Sequence, residues 1–453
     1  MKVVIIGAVA AGLTAAYGLK KNMKDVDITI IEKHKDISYG ACGFPYYIEG
    51  LIEDSDDLVA KNRDEVIGDG IDLRILNEAV GVDFQKKIVH TLDLINEKAY
   101  DIPYDKLIIA VGGKSIRLKA LEGIQGIYPL NNMEDAKAIR EYLDEKLPKK
   151  AMIIGGGNKG IELLESLTRR GIDTCVIELK DRILSYYDAD LADMLYQKLK
   201  GEGHKINLNE NIISGIIDDN TGRIKSIVTD KGVYDVDFVL ESIGIKPNTG
   251  FLEGTELLME NGAIVTDKYG RTNIEDVYSG GDCALIYNHI EKRNRYVPLG
   301  TNANKIGKLI ALSIAGIAPE WKGIQGGALM KSLGYELAIN GINDETARAL
   351  GLEFDSMLVR TRNKSHYYPK NAELFIKLTY LKKDGKLIGA QIFGKEGSGL
   401  RIQGLAVAIY AGLTVHDLEY LDFGYIPPLN SVWDSINVAA NKIVAKMKRE
   451  VKS

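Results

Sequence analysis

Three cysteines occur in 453 residues, at positions 42, 175 and 283, and only the first stands in a setting that points to chemistry. Cys42 lies in Ser38-Tyr39-Gly40-Ala41-Cys42-Gly43-Phe44-Pro45-Tyr46-Tyr47, ten residues after Glu32. No partner follows at CxxC or CxxxxC spacing, which excludes an internal disulfide at this position. A lone thiol must instead cycle through a mixed disulfide, a persulfide or a sulfenic acid. The segment predicts that Cys42 sits early in a helix, whose N-terminal partial charge would lower the thiol pKa from about 8.5. Cys175 and Cys283 fall within or beside buried-strand sequence and read as inert packing. No metal site is expected.

The elements that must position this thiol begin with a strand at residues 3–6. A small-residue turn, Gly7-Ala8-Val9-Ala10-Ala11-Gly12, leads into a helix over 11–21. A second strand over 27–31 ends on Glu32. Glycines at such a turn let the backbone pass close to a pyrophosphate, and a carboxylate at the end of the second strand accepts hydrogen bonds from ribose hydroxyls. The middle glycine of GxGxxG is missing here. The same grammar returns at 151–154, followed by Gly155-Gly156-Gly157-Asn158-Lys159-Gly160, a helix to about 170, and a strand over 173–177 ending on Glu178. Two such units predict two dinucleotide sites, with Gly7, Gly12, Glu32 and Lys33 at one and Gly155, Gly157, Gly160 and Glu178 at the other. Glu178 would repel a 2′-phosphate and so favours NADH, although Lys180 and Arg182 stand close enough to relieve that repulsion. Residues 107–113 read as a buried strand ending at a glycine turn, with Ala110 and Gly112 at the cofactor. Asp282, in Asp276-Val277-Tyr278-Ser279-Gly280-Gly281-Asp282-Cys283, is placed to bond the ribityl chain of a flavin.

The order predicts an α/β protein in which one Rossmann-like domain interrupts another. An FAD-binding domain covers 1–115 and 246–322, an NAD(P)H-binding domain covers 116–245, and a third, α+β unit covers 323–453, which the resemblance given below implies is a dimerisation domain. In the last domain, strands are expected around 335–340, 373–380 and 387–393, and helices over 399–410 and 431–446.

A net charge of −5 gives no reason to expect a nucleic-acid partner. The apolar stretch near the N-terminus is broken by Gly7, Gly12 and Gly18 and reads as a continuing fold, not a leader. No run approaches the roughly 20 apolar residues that span a bilayer. Few, scattered cysteines suit a reducing compartment, and a cytoplasmic location is expected.

Ser-Tyr-Gly-Ala-Cys-Gly-Phe-Pro-Tyr-Tyr-Ile, with the Gly-Ala-Val-Ala-Ala-Gly turn, Gly244–Pro247, the Gly-Asp-Cys segment, Tyr367-Tyr368-Pro369 and Phe423-Gly424-Tyr425-Ile426-Pro427-Pro428, resembles the coenzyme A-disulfide reductase type of single-cysteine pyridine nucleotide-disulfide oxidoreductase. The resemblance implies FAD, NADH or NADPH, and possible attachment of coenzyme A to Cys42. It implies reduction of a small-molecule disulfide, persulfide or polysulfide. It also implies a homodimer in which Tyr425 and Tyr367 reach the partner's active site, where a phenol can protonate a leaving thiolate. Thr14, Lys21, Ser38 and Asn304 match coenzyme A-contacting positions, whereas Ala41 and Gly18 depart from the pattern. Two other readings remain. In an NADH oxidase or peroxidase Cys42 would form a sulfenic acid, but such relatives carry a histidine where Ala10 stands. A flavin-bearing sensor or electron-transfer reductase would have no use for Cys42.

Overall fold

Valine and isoleucine crowd residues 2–6, 27–32 and 106–109, and β-branched side chains favour extended backbone covered on both faces. In the computed structural model, which describes residues 1–450, these runs form the strands Lys2–Ile6, Asp27–Glu32 and Lys106–Ile109. With Val277–Ser279 and Asp72–Ile75 they make a five-stranded sheet in the order 277–279, 106–109, 2–6, 27–32, 72–75. Every pairing is parallel, with Ile5 opposite Ile30 and Ile108. The strand expected over 107–113 stops at Ile109, because Gly112 turns the chain at a φ of 63°.

Helix Ala10–Asn22 lies against helix Gly300–Ile314, and the two approach closely enough to require glycine. A Cβ on Gly307 would meet the Ala11 carbonyl oxygen at 2.4 Å, and one on Gly18 would meet the Ala311 Cβ at 2.6 Å. The departure at Gly18 therefore belongs to helix packing.

A second unit repeats the plan, with strands in the order 205–207, 173–177, 150–154, 238–241, 127–129 and helix Asn158–Arg169 after the glycine turn. Gly113–Ser115 pairs antiparallel with Ile245–Pro247, so the chain enters and leaves this unit side by side. Each unit also carries a three-stranded antiparallel meander, at 77–103 and 212–235, that the sequence reading did not anticipate.

The last unit is a five-stranded antiparallel sheet in the order 328–332, 335–341, 387–394, 373–381, 354–362. Helices Ile402–Ala411 and Ser435–Glu450 cover one face with Leu405, Ile409, Ile436 and Ile443. The second helix starts later than residue 431, where the Asp434 carboxylate accepts from the Ile436 N–H at 3.0 Å. The other face shares a core with the second unit, Met330, Tyr335 and Phe393 packing with Ile161 and Leu195. A buried ion cluster reinforces that contact: Lys377 Nζ lies 2.9 Å from carboxylates of Asp188, Asp190 and Asp344. Among the described residues, no helix is long and apolar enough to cross a membrane.

Candidate active site

The two glycine turns superpose in their bonding. Gly7 N donates to Ile31 O and Gly155 N to Ile177 O, both at 2.8 Å. A Cβ on Gly12 would sit 1.9 Å from the Gly7 oxygen, and one on Gly160 would sit 2.0 Å from the Gly155 oxygen. Gly7 itself abuts the Ala110 carbonyl, where a Cβ would come within 2.2 Å. A Cβ on Gly155 would likewise come within 2.4 Å of the Ser242 oxygen, so all four glycines are demanded by backbone packing. Gly157 is different: a Cβ there would meet no protein atom within 4 Å, so its bareness leaves room for a ligand. Val9 holds the corresponding place in the first turn.

The acids at the strand ends are held alike. Glu32 accepts from Ala8 N at 2.8 Å and His34 N at 2.9 Å, and Glu178 accepts from Gly156 N at 2.7 Å and Lys180 N at 2.9 Å. Each carboxylate is fixed beside its glycine turn, as ribose recognition requires. Burial pushes the Glu32 carboxyl up, against the hydrogen bonds it accepts. The cations near Glu178 are engaged elsewhere, Lys180 Nζ with Ser185 Oγ at 2.9 Å and Arg182 Nη2 with Glu345 Oε1 at 2.5 Å. Lys33 turns away to Glu78, 2.7 Å distant.

Asp282 and its neighbours Gly280, Gly281 and Ala303 line a small depression beside the first turn, where a Cβ on Gly281 would lie 3.2 Å from the Ala11 Cβ. Its backbone carbonyl accepts from Tyr296 Oη at 3.0 Å, and its carboxyl is pushed up by burial with Lys159 opposing. Glycines and one available carboxylate at that place fit a polyhydroxyl chain.

Cys42, which feels the charge of Asp282, lies in a 3-10 turn, Ala41–Gly43, that runs into the six-residue helix Phe44–Glu49. A Cβ on Gly43 would meet Leu58 Cδ2 at 2.3 Å, so glycine lets the turn close onto its neighbour. Pro45 opens the helix at a position that needs no N–H, and Gly50 ends it at a φ of 94°. Phe44, Tyr47 and Ile48 are buried in the core that also contains Ile161 and Leu164 of the second unit. Ser166 Oγ donates to the Pro45 carbonyl at 2.9 Å, and Arg140 and Arg170 reach the carbonyls of Tyr47 and Ile48. The helix that follows the thiol is thereby carried by the first unit and clamped against the second.

The expected lowering of its pKa is not what this setting produces. Cys42 is open to solvent along one side, but crowding protein raises its pKa first, and the carboxylates Glu162 and Asp282 raise it further. Lys159 opposes them. The thiol precedes the helix, which is short, so a helix dipole has little reach there. Glu162 and Lys159, neither singled out as a site residue from sequence, both project from helix Asn158–Arg169. The Glu162 carboxyl is pushed up to about 7, chiefly by burial. Their signal was present: two charged residues one turn apart directly after a nucleotide-binding turn.

Cys283 is buried, with Sγ 3.4 Å from the Ile109 carbonyl, and burial pushes Cys175 up to about 11. Thr14 Oγ1 donates to Asn304 Oδ1 at 2.8 Å across the two packed helices. Lys21 is exposed two turns beyond Thr14 on the same helix, and Ser38, at a φ of 54°, donates its N–H to Ala8 O at 2.9 Å. Tyr367 and Tyr425 meet each other, hydroxyl to hydroxyl at 2.9 Å, with Ser365 Oγ 3.2 Å from Tyr425. Hydrogen bonds from Ser365 and Tyr367 lower the Tyr425 pKa. Both phenols are exposed, and among the described residues neither hydrogen-bonds Cys42.

Comparison with known proteins agrees with this layout. Residues 1–307 match the family model described as pyridine nucleotide-disulphide oxidoreductase, and residues 330–435 match its dimerisation domain. An NAD(P)H coenzyme A polysulfide/persulfide reductase from Pyrococcus horikoshii is 32% identical, covering 97% of each chain. An NADH oxidase from Methanocaldococcus jannaschii is 28% identical over 99% of each. Among solved structures, reduced Bacillus anthracis CoADR-RHD superposes with a TM-score of 0.94 at 27% identity, covering 99% of this chain and 80% of that one.

Proposed function

The chain belongs to the pyridine nucleotide-disulphide oxidoreductase family, and from that premise we propose that it reduces coenzyme A disulfide, coenzyme A persulfide or polysulfide with NAD(P)H, using Cys42 as its redox-active sulfur. The observation that carries this reading is a lone, solvent-open thiol without a disulfide partner, on a turn whose following helix is held against the second unit. Bound FAD supplies two-electron transfer between NAD(P)H and sulfur. The first glycine turn and Glu32 hold its pyrophosphate and ribose, and Asp282 takes the ribityl hydroxyls. The second turn and Glu178 bind the nicotinamide cofactor. Cys42 attacks the substrate sulfur and keeps one half as a mixed disulfide.

Tyr425, its proton eased by Ser365 and Tyr367, protonates the departing thiolate across the dimer from the partner. Thr14, Lys21, Ser38 and Asn304 line the path of the thiol carrier, with Lys21 answering its phosphates. The limits at residues 115, 245 and 322 divide the domains. A cytoplasmic location, where thiols stay reduced, suits a chain whose three cysteines are free. The NADH oxidase reading has relatives behind it, but Ala10 supplies no proton donor at the first turn, which favours the disulfide branch.

Intact mass spectrometry after incubation with coenzyme A disulfide tests the proposal. Wild-type protein should gain one coenzyme A that reduction releases, and Cys42→Ser should gain none. An adduct on Cys42→Ser, or none on wild type, would refute it.

A further inference from the structure

Helix Asn158–Arg169, which carries Lys159 and Glu162, packs on the segment that follows Cys42: Ile161 and Leu164 share a core with Phe44, Tyr47 and Ile48, and Ser166 Oγ donates to the Pro45 carbonyl at 2.9 Å. Lys159 has no carboxylate within ion-pair distance among the described residues; its Nζ donates to the Leu130 carbonyl at 2.6 Å. The charged groups that act on it converge from four elements. They are Asp135 of helix Met133–Lys146, Asp282 after strand Val277–Ser279, Cys42 of the turn Ala41–Gly43, and Glu162 of its own helix. A lysine withdrawn from water ordinarily pairs with a carboxylate. Dinucleotide binding does not call for this one, since Ala11 occupies the same place in the first turn.

We propose that Lys159 is a positioning cation for Cys42, balancing the negative charge that its sulfur bears after each reductive cycle. In that cycle the mixed disulfide between Cys42 and a thiol takes up two electrons and one proton. The S–S bond breaks, the thiol leaves carrying the proton, and Cys42 remains as thiolate. Oxidation of NAD(P)H supplies both electrons and the proton. Glu162 and Asp282 face the sulfur and oppose its charge, and Tyr46 adds a phenol from helix Phe44–Glu49. Lys159 is the countercharge in that setting.

This inference rests on Cys42 being the redox sulfur. The test is the pH profile of iodoacetamide alkylation of Cys42 in the two-electron-reduced holoenzyme. Lys159→Met should move the midpoint up by about one pH unit, so that alkylation at pH 7 slows about tenfold. Lys159→Arg should restore the wild-type midpoint. Lys159→Gln, which keeps a donor for Leu130, decides the matter if the methionine variant fails to fold. An unchanged midpoint in the charge-free variants, or an equal displacement in Lys159→Arg, overturns the proposal. If Cys42→Ser still turns over coenzyme A disulfide, the proposed function has failed instead.

Discussion

At the scale of single residues, the site works by setting charges against one another. Glu162 is the clearest case, because burial pushes its carboxyl from 4.5 to about 7. Below pH ~4.5 the folded and unfolded chains both hold that proton and stability is unaffected. Between pH ~4.5 and ~7 the unfolded chain gives it up first, so stability falls as pH rises, and the loss levels off above 7. Glu162→Gln cannot lose a proton. Its melting temperature relative to wild type should therefore rise across that window and then plateau. A difference independent of pH would mean that the carboxyl titrates normally. Cys42 teaches a related lesson. Its type and isolation were evident in the chain, but its pKa was not, because it is set first by crowding in the folded protein and then by Glu162 and Asp282, far away in sequence. Lys159 stands in the second glycine motif, and only folding brings its charge to act on the sulfur.

At the scale of elements, the two nucleotide-binding turns were legible because their glycines answer to steric necessity. A Cβ on Gly12 or Gly160 would overlap a carbonyl oxygen of its own turn. Relieving such an overlap costs about 1–3 kcal/mol. Gly160→Ala should thus raise the KM for NADH about tenfold while leaving flavin content unchanged, and Gly12→Ala should do the reverse, yielding flavin-poor protein. Equal loss of both ligands in either variant would deny that the turns serve separate sites. The meanders escaped notice because their strands are largely half exposed and show no clean apolar alternation, although the turns at 218–222 and 230–232 carry the Asp, Asn and Gly that mark hairpins. The ion cluster of Lys377 escaped for another reason: its carboxylates come from separate parts of the chain, and nothing local marks them.

At the scale of the whole molecule, the last unit does more than cap the fold. Its sheet shares a core with the second unit, while Leu400, Val407, Leu429, Val432 and Trp433 stay exposed on the unit that matches a dimerisation domain. Tyr367 and Tyr425 occupy the same unit and pair with each other, which suits donation across a two-fold axis. Mixed dimers of Cys42→Ser and Tyr425→Phe chains test that arrangement. Donation from the partner gives one intact site per mixed dimer, and activity should recover to about half of wild type. No recovery would place the phenol in its own chain's site.

The central claim is that one sulfur, at Cys42, stores and returns an electron pair. Anaerobic NADH titration of flavin-loaded protein, first treated with coenzyme A disulfide, measures it directly. Wild type should consume about two NADH per flavin and Cys42→Ser about one. Equal consumption by the two proteins would contradict the account.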